Sequence, residues 1–462
     1  MANFFRHPDR RQRFLLPIDM MDWLPEDDIV HLIVDAVGVM DLRRFEESYS
    51  TAGPGQAAFS PAMMLAVLIY AYSNKLRSSR KIEQLCRRDA GFRLIVGDEV
   101  PDHSVIARFR QRHAADMQAL FVEVLKLCRA AGLLRLGMVA LDGTKINANA
   151  ALDANRTAGS LAEEVAAMFA EATAVDAAED ALLGDRRGDE LPPELADATS
   201  RKARLVACRE KLAAQAAETA ARQQEKIDAR AAEEQATGKG KRGRKPKPAD
   251  DSVDPDAVAN VTDPDSEIMK TRRGWVQGYN GQAVVTADQI IVAAELTTQA
   301  NDVQQLQPML NQAQSIVEAV VGEDATLGTV LADAGYWSDA NAATETADCT
   351  LLIATQKDHQ QRAALREAPP PRGRMPKNLT TRQRMDRKLR TKPGRALYRL
   401  RGQTVEPVFG QVKEHQGADR FMMRGIEACR GEWKLHAAVH NLRKLHRKSV
   451  RKAENTAKPA IA

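Results

Sequence analysis

Met138-Val139-Ala140-Leu141-Asp142-Gly143-Thr144-Lys145-Ile146-Asn147-Ala148 is the stretch from which the rest of the chain is read. An apolar run, Met138 to Leu141, ends on a lone acid, Asp142, and Gly143 and Thr144 follow at once. That pattern predicts a buried β-strand delivering one carboxylate to the edge of a sheet. A buried carboxylate costs several kcal/mol unless something compensates its charge. A metal ion is one such compensation, so the next question is whether other acids arrive in similar settings.

One does. Thr329 to Ala332 is again apolar, ends on Asp333, and has Gly335 close behind. Between the two acids, Trp275 to Val285 reads as a strand with glycine interruptions. Asp288-Gln289 makes a turn, and Ile290 to Thr298 is an antiparallel return strand. Asn301 and Asp302 precede a helix through Val321. A further helix starts near Ser338, and Cys349 to Lys357 forms a fifth strand. A third acid, Glu406, stands at the start of a long helical stretch. The roles of helix cap or surface carboxylate suit Asp102, Asp302 and Asp339. They suit Asp142 and Asp333 poorly, because each closes an apolar strand just before glycine.

The element order is strand with acid, insertion, two strands, helix, strand with acid, helix, strand, helix with acid. This is the order of a mixed α/β, RNase H-like fold with a helical insertion after its first strand. In such a fold three carboxylates converge on one pocket. Mg²⁺ is a hard cation that takes carboxylate oxygens and keeps water and substrate phosphate as its other ligands. Two such ions ~3.5–4 Å apart activate a water or 3′-hydroxyl and stabilise the leaving oxygen of a phosphodiester displacement.

The insertion is read from composition. Ser160 to Gln235 is rich in Ala, Glu, Gln and Arg. Ser160 with Glu163 three residues on forms a capping-box pattern, and a break at Gly184 to Pro193 precedes a second helix from about Ala198 to Glu234. Alanine dominates the apolar positions, so a thin packing face is expected. Residues 236–262 lose periodicity and read as a disordered basic linker. Its centre, Lys241-Arg242-Gly243-Arg244-Lys245-Pro246, resembles an AT-hook. Arg242 and Arg244 there suit a narrow A·T minor groove; a solvated spacer is the simpler reading.

Upstream, an N-terminal segment carries Arg6, Arg10, Arg11 and Arg13. It leads to the helically spaced Ile29, Leu32, Ile33, Ala36 and Val37, which read as a packing helix or as part of a DNA-contacting arm. Residues 56–135 read as helical, opening at Ser60-Pro61. Lys81 to Asp89, a turn, and a helix from Asp102 or Ser104 resemble a helix-turn-helix, with Arg108, Arg110 and Arg112 facing DNA. Downstream, residues 358–401 read as a basic, proline-containing connector. Arg372 to Arg401 holds twelve Lys or Arg against one acid, Asp386. Such a block suits phosphate contacts. The final helix puts Leu435, Val439, Leu442 and Leu445 on one side.

Composition sets bounds. The chain has 462 residues, 44% hydrophobic, 5% aromatic and 28% charged, with net charge +5, which fits two to four domains. The five cysteines, Cys86, Cys128, Cys208, Cys349 and Cys429, are widely spaced without CxxC pairing. They argue against a disulfide framework or zinc site. No window approaches a membrane span or signal peptide, so a soluble, cytoplasmic protein without membrane partners is expected.

At these residues the chain resembles a bacterial insertion-sequence transposase of the DDE class. LDGTKINANA matches the family's first-Asp strand, LADAGYW its second, and YRLRGQTVEPVFGQVK with RFMMRG its Glu region. The resemblance covers nearly the whole chain and implies Asp142, Asp333 and Glu406 as catalytic, metal-binding triad. It implies Mg²⁺ as cofactor, with Mn²⁺ as a substitute, and cleavage at terminal inverted repeats followed by strand transfer to target DNA. A homodimer on the DNA, nucleoid-associated when bound, is expected. The family's third motif often runs Tyr, two residues, Arg, three residues, Glu, six residues, Lys. Here Tyr398, Arg401, Glu406 and Lys413 give two, four and six. That implies DNA contacts for Tyr398, Arg401 and Lys413, with Arg401 displaced by one residue. Tyr336 and Trp337 are candidates to stack on an unpaired base or to pack under the sheet. The resulting division is 1–135 helical DNA-binding domain, 136–158 first part of the catalytic domain, 159–235 insertion, 236–262 linker, 263–450 rest of the catalytic domain, and 451–462 tail. The rival functions are a domesticated RNase H-like nuclease and an inactive DNA-binding regulator.

Overall fold

A computed structural model of the protein describes residues 19–49, 57–167, 201–240, 243–271, 274–367 and 369–457. The N-terminal arginines, the break at 184–193 and Arg242 lie outside these. The strands in chain order are β1 (Gly137–Asn147), β2 (Asn155–Thr157), β3 (Val258–Asn260), β4 (Glu267–Thr271), β5 (Gly274–Thr286), β6 (Ile291–Thr297), β7 (Gly328–Ala332) and β8 (Cys349–Ile353). β1 occupies the middle of a six-stranded mixed sheet. β7 and then β8 lie parallel to it on one side, and β5 lies antiparallel on the other. The outer edge of β5 carries β4 along its first half and β6 along its second, both antiparallel.

The apolar run of β1 is buried from Met138 to Leu141 as its pattern requires, since neighbours cover both faces. Two strand features escaped the sequence. β4 forms a hairpin with the start of β5, and its mixed Glu267-Ile268-Met269-Lys270-Thr271 lacks clean alternation. β2 and β3 form a separate two-stranded ribbon, three residues each, too short for periodicity to register.

One helix joins the halves of the molecule. Ile426–Ala457 packs against β6 and against the N-terminal helices Met117–Ala130 and Pro61–Ser73. Val30, Phe45, Leu68, Phe121, Val139, Val284, Leu352 and Leu442 therefore belong to one continuous core. Trp433 is buried on β5, its Nε1 donating to the Gln282 carbonyl at 3.0 Å. Each large apolar side chain so buried contributes about 1.5–3 kcal/mol.

The insertion carries a second, small core of Leu161, Val165, Leu205, Cys208, Leu212, Ala259 and Val261, the thin face that an alanine-rich pattern predicts. Its long helix is Arg201–Thr237. Its first helix begins at 158 rather than at a Ser160 cap: Thr157 Oγ1 accepts the Ser160 N–H at 3.3 Å. The expected unstructured linker over 236–262 is also corrected. Arg230 donates to the Arg244 carbonyl at 3.0 Å and Gln223 to the Lys247 carbonyl at 2.8 Å, so this segment follows the helix before entering β3. The connector over 358–401 is likewise helical: Asp358–Glu367, Thr381–Arg390 and Lys392–Thr404. Thr380 and Gln383 form a reciprocal capping box, and Thr391 caps the third helix.

In the N-terminal region Asp28 caps Ile29–Val39 and Asp102 caps His103–Arg112. The turn of the expected helix-turn-helix contains a further short helix, Ala90–Val96, capped by Asp89. All five cysteines are unbonded. Among the described residues no helix is long and apolar enough to cross a membrane.

Candidate active site

β1 and β7 run side by side with Leu141 opposite Ala332. The residues that follow, Asp142 within β1 and Asp333 just past β7, therefore lie at the same level; Asp142 does not close its strand as expected, because β1 runs on to Asn147 alongside β5. Each carboxylate is tethered by the glycine behind it. Asp142 Oδ1 accepts the Gly143 N–H at 2.8 Å, and Asp333 Oδ1 accepts the Gly335 N–H at 2.9 Å. The second bond opens a single helical turn, Ala334–Tyr336. Burial pushes the Asp142 carboxyl up to about 6; Arg401 pulls it back, and the Asp333 charge adds to the rise. Two carboxylates near enough for the charge of one to raise the pKa of the other suit a cation between them.

The third acid approaches through an intermediary. Glu406 heads the helix Glu406–Gln416, which follows almost directly on Lys392–Thr404. Arg401, on the earlier helix, is only 4% exposed. Its Nη1 lies 2.9 Å from Asp142 Oδ2 and its Nη2 3.6 Å from Glu406 Oε1. The guanidinium fork thus bridges the first and third acids. Among the described residues no group of three His, Cys, Asp or Glu is placed to hold a metal ion, and Arg401 stands between two members of the expected trio. Arg401 as a DNA contact is corrected: its charge points inward, to the acids.

Other expected contacts divide in the same way. Tyr398 is buried, one helical turn before Arg401, and lines a cleft of about 660 Å³. Arg366, Arg395, Arg399 and Glu406 line the same cleft. Lys413 turns toward the sheet, its Nζ donating to the Lys145 carbonyl at 2.8 Å, and burial lowers its pKa. It ties its helix to β1 rather than reaching for phosphate. Tyr336 is fully buried and its hydroxyl donates to Gln282 Oε1, so packing, not base stacking, is its place. Trp337 is half-buried. Arg108 and Arg112 are exposed, the latter over the Tyr49 ring at 4.9 Å. Arg110 is corrected from DNA contact to internal brace: it donates to the Arg77 carbonyl at 2.8 Å, to Tyr72 Oη at 3.3 Å and to Ser79 Oγ. Arg244 is exposed.

Sequence reasoning missed a polar layer beside the two strand acids. Asp302, expected as a helix cap, makes no capping bond. Its Oδ1 instead accepts from Asn280 Nδ2 and from Gln282 Nε2, both at 2.7 Å, and lies 3.9 Å from Lys145 Nζ. The available signal was Asn280 and Gln282, two amides on one face of an otherwise buried strand. Asp339 is an exposed surface carboxylate, one of the two roles expected of it, while Ser338 caps the helix, accepting the Asn341 N–H at 2.9 Å.

Two family models match the chain: a transposase domain (DUF772) over residues 18–112 and a transposase DDE domain over residues 372–446. The first spans Arg108, Arg110 and Arg112; the second spans Tyr398, Arg401, Glu406 and Lys413. Asp142 and Asp333 lie between the two matches. No curated protein and no solved structure matches the chain.

Proposed function

We propose that the chain, matched by a transposase domain over residues 18–112 and a transposase DDE domain over residues 372–446, is an insertion-sequence DDE transposase with Asp142, Asp333 and Glu406 as its catalytic triad. The observation that carries this reading is the level placement of Asp142 and Asp333 on adjacent parallel strands, with Glu406 joined to Asp142 through Arg401. The strand order around β1, with two parallel strands on one side and antiparallel strands on the other, supports an RNase H-like catalytic domain built from 136–158 and 263–450.

The donor set fits a hard divalent cation: carboxylate oxygens only, two of them carried at one level by adjacent parallel strands, one held up toward neutral pH by burial. Asp142, Asp333 and Glu406 would hold Mg²⁺ or Mn²⁺, which when bound activates water or a 3′-hydroxyl and stabilises the leaving oxygen in phosphodiester displacement. Within the chain, Arg401 favours the ionised form of Asp142 and bridges it to Glu406. The glycine N–H tethers fix the direction of the two strand carboxylates. Arg366, Arg395 and Arg399 lie beside Glu406 and suit the phosphates of the DNA end. The substrate is the pair of terminal inverted repeats, cut at their ends and joined to target DNA by a homodimer that processes both together. Exposed Arg108 and Arg112, with the Arg242–Arg244 segment, would hold the flanking duplex.

The test uses short inverted repeats bracketing the coding sequence. Purified protein should retard duplexes carrying them and, with Mg²⁺, nick them at the element boundary. A protein that neither binds nor cuts such ends contradicts the reading.

A further inference from the structure

We propose that Asp302 is a positioning residue that fixes the spacing of the Asp142 and Asp333 carboxylates through a network of amides, a lysine and two glycine turns. The proposal rests on the reading of those two acids as the metal-bearing pair.

Asp302 comes from the loop before the helix Leu306–Val321, not from either acid-bearing strand. Its Oδ1 accepts two amide N–H bonds at 2.7 Å, from Asn280 and Gln282 of β5. Gln282 cannot turn its amide over, because its Oε1 accepts from the Tyr336 hydroxyl. Burial raises the Tyr336 pKa, and the charges of Asp302, Asp142 and Asp333 raise it further, so that hydroxyl stays a donor. Tyr336 closes the single turn that Asp333 opens. The chain of contacts therefore runs from Asp302 through Gln282 to the turn that aims Asp333.

A second branch reaches the strand that carries the other acid. Lys145 sits on β1 three residues beyond Asp142 and lies 3.9 Å from Asp302 Oδ1. Its Nζ also donates to the Ala300 carbonyl at 2.6 Å, anchoring the same loop. Both glycines behind the acids face Asp302. A Cβ on Gly143 would lie 2.8 Å from Asp302 Oδ1 and 2.4 Å from Gln282 Nε2. A Cβ on Gly335 would lie 3.4 Å from Asp302 Oδ2 and 3.0 Å from Asp333 Oδ1. Glycine at both positions lets one carboxylate pack between the two turns. Its hydrogen-bonded oxygen is committed to amides, so Asp302 acts through its neighbours.

Outer partners of this kind typically set ligand affinity by about 10- to 100-fold. Full-length protein, Asp302→Ala, Asp302→Asn and Asp333→Asn should be compared for Mn²⁺ binding by calorimetry, binding of repeat-end duplex, melting temperature, and strand cleavage. Asp302→Ala should weaken Mn²⁺ binding by about 10- to 100-fold with end binding unchanged. Asp302→Asn, which keeps one acceptor oxygen but offers amide hydrogens to donors, should fall between. If Asp302→Ala does not fold, the Asn variant decides alone. Wild-type Mn²⁺ affinity in the folded variant overturns the proposal, and so does a lowered melting temperature with unchanged Mn²⁺ affinity. Failure of the parent reading looks different: Asp333→Asn would itself keep wild-type Mn²⁺ affinity and cleavage.

Discussion

Arg401 carries the tension of the site. It is the buried cation between two acids that, in the account above, must later share a metal ion. With its side chain 5% exposed and that of Asp142 19% exposed, the pair is shielded from solvent, and removing one partner leaves the other's charge stranded. Arg401→Ala should therefore destabilise the protein by about 3 kcal/mol in the absence of divalent ions. Urea unfolding with and without Mg²⁺ checks this; the loss should shrink when Mg²⁺ is present. Equal stability of variant and wild type in EDTA would contradict it. At this scale the sequence was informative where chemistry breaks a local rule. Asp142 and Asp333 stood out because an acid closing an apolar run is anomalous. Arg401 and Asp302 obey local rules, as a basic residue in a basic helix and an acid before a helix, so their inward roles emerge only from tertiary contacts.

The helix Ile426–Ala457 shows what an element contributes beyond its apolar stripe. Its spacing of Leu435, Val439, Leu442 and Leu445 was legible, and all are buried. Its buried polar residues were not, because their partners are distant in sequence. Asn441 Oδ1 accepts the Ile291 N–H at 2.9 Å and its Nδ2 donates to the Ile291 carbonyl at 2.8 Å. One side chain thus satisfies both backbone groups at the start of β6. Glu432 accepts the N–H groups of Met422 and Met423 at 2.9 and 3.0 Å and the Tyr72 hydroxyl at 3.2 Å. Asn441→Ala should cost about 2–4 kcal/mol, since two buried backbone groups lose their partner. Hydrogen exchange should show β6 opening first; protection at Ile291 equal to wild type would refute this. Close approach matters too. A Cβ on Gly431 would lie 2.3 Å from the Ala114 carbonyl oxygen, so Gly431→Ala should force the helix away from the N-terminal region and lower stability by about 1–3 kcal/mol. An unchanged melting temperature would count against that crossing.

For the whole molecule, the consequence of one continuous core is that acid sensitivity in the C-terminal helix is felt everywhere. Burial lowers the pKa of His440 from 6.5 to about 3, and lowers that of His436 well below its usual value. The unfolded chain takes up these protons below about pH 6.5, while the folded chain resists until far lower. Stability is therefore fully present above that pH and is lost as pH falls toward 3. His440 alone accounts for about 3 kcal/mol by about pH 4. Buried Glu432, with its pKa raised, works the other way, so the comparison that isolates the effect is wild type against His440→Gln. The variant's stability should decline less steeply between about pH 6.5 and 4; parallel slopes would contradict the assignment. At this scale the sequence was legible in its strand and helix order. The sharing of one core by the N-terminal helices and the sheet was not, because it depends on contacts between helices distant in sequence, chiefly those of Ile426–Ala457.

The central claim is that the acids of β1, β7 and the Glu406 helix act on DNA as one site. It is tested most directly by strand cleavage of a repeat-end duplex in Mg²⁺ by wild type, Asp142→Asn, Asp333→Asn and Glu406→Gln, each checked for end binding. The account predicts cleavage by wild type alone, with all four proteins binding the duplex. Cleavage at the wild-type rate by Asp333→Asn would contradict it.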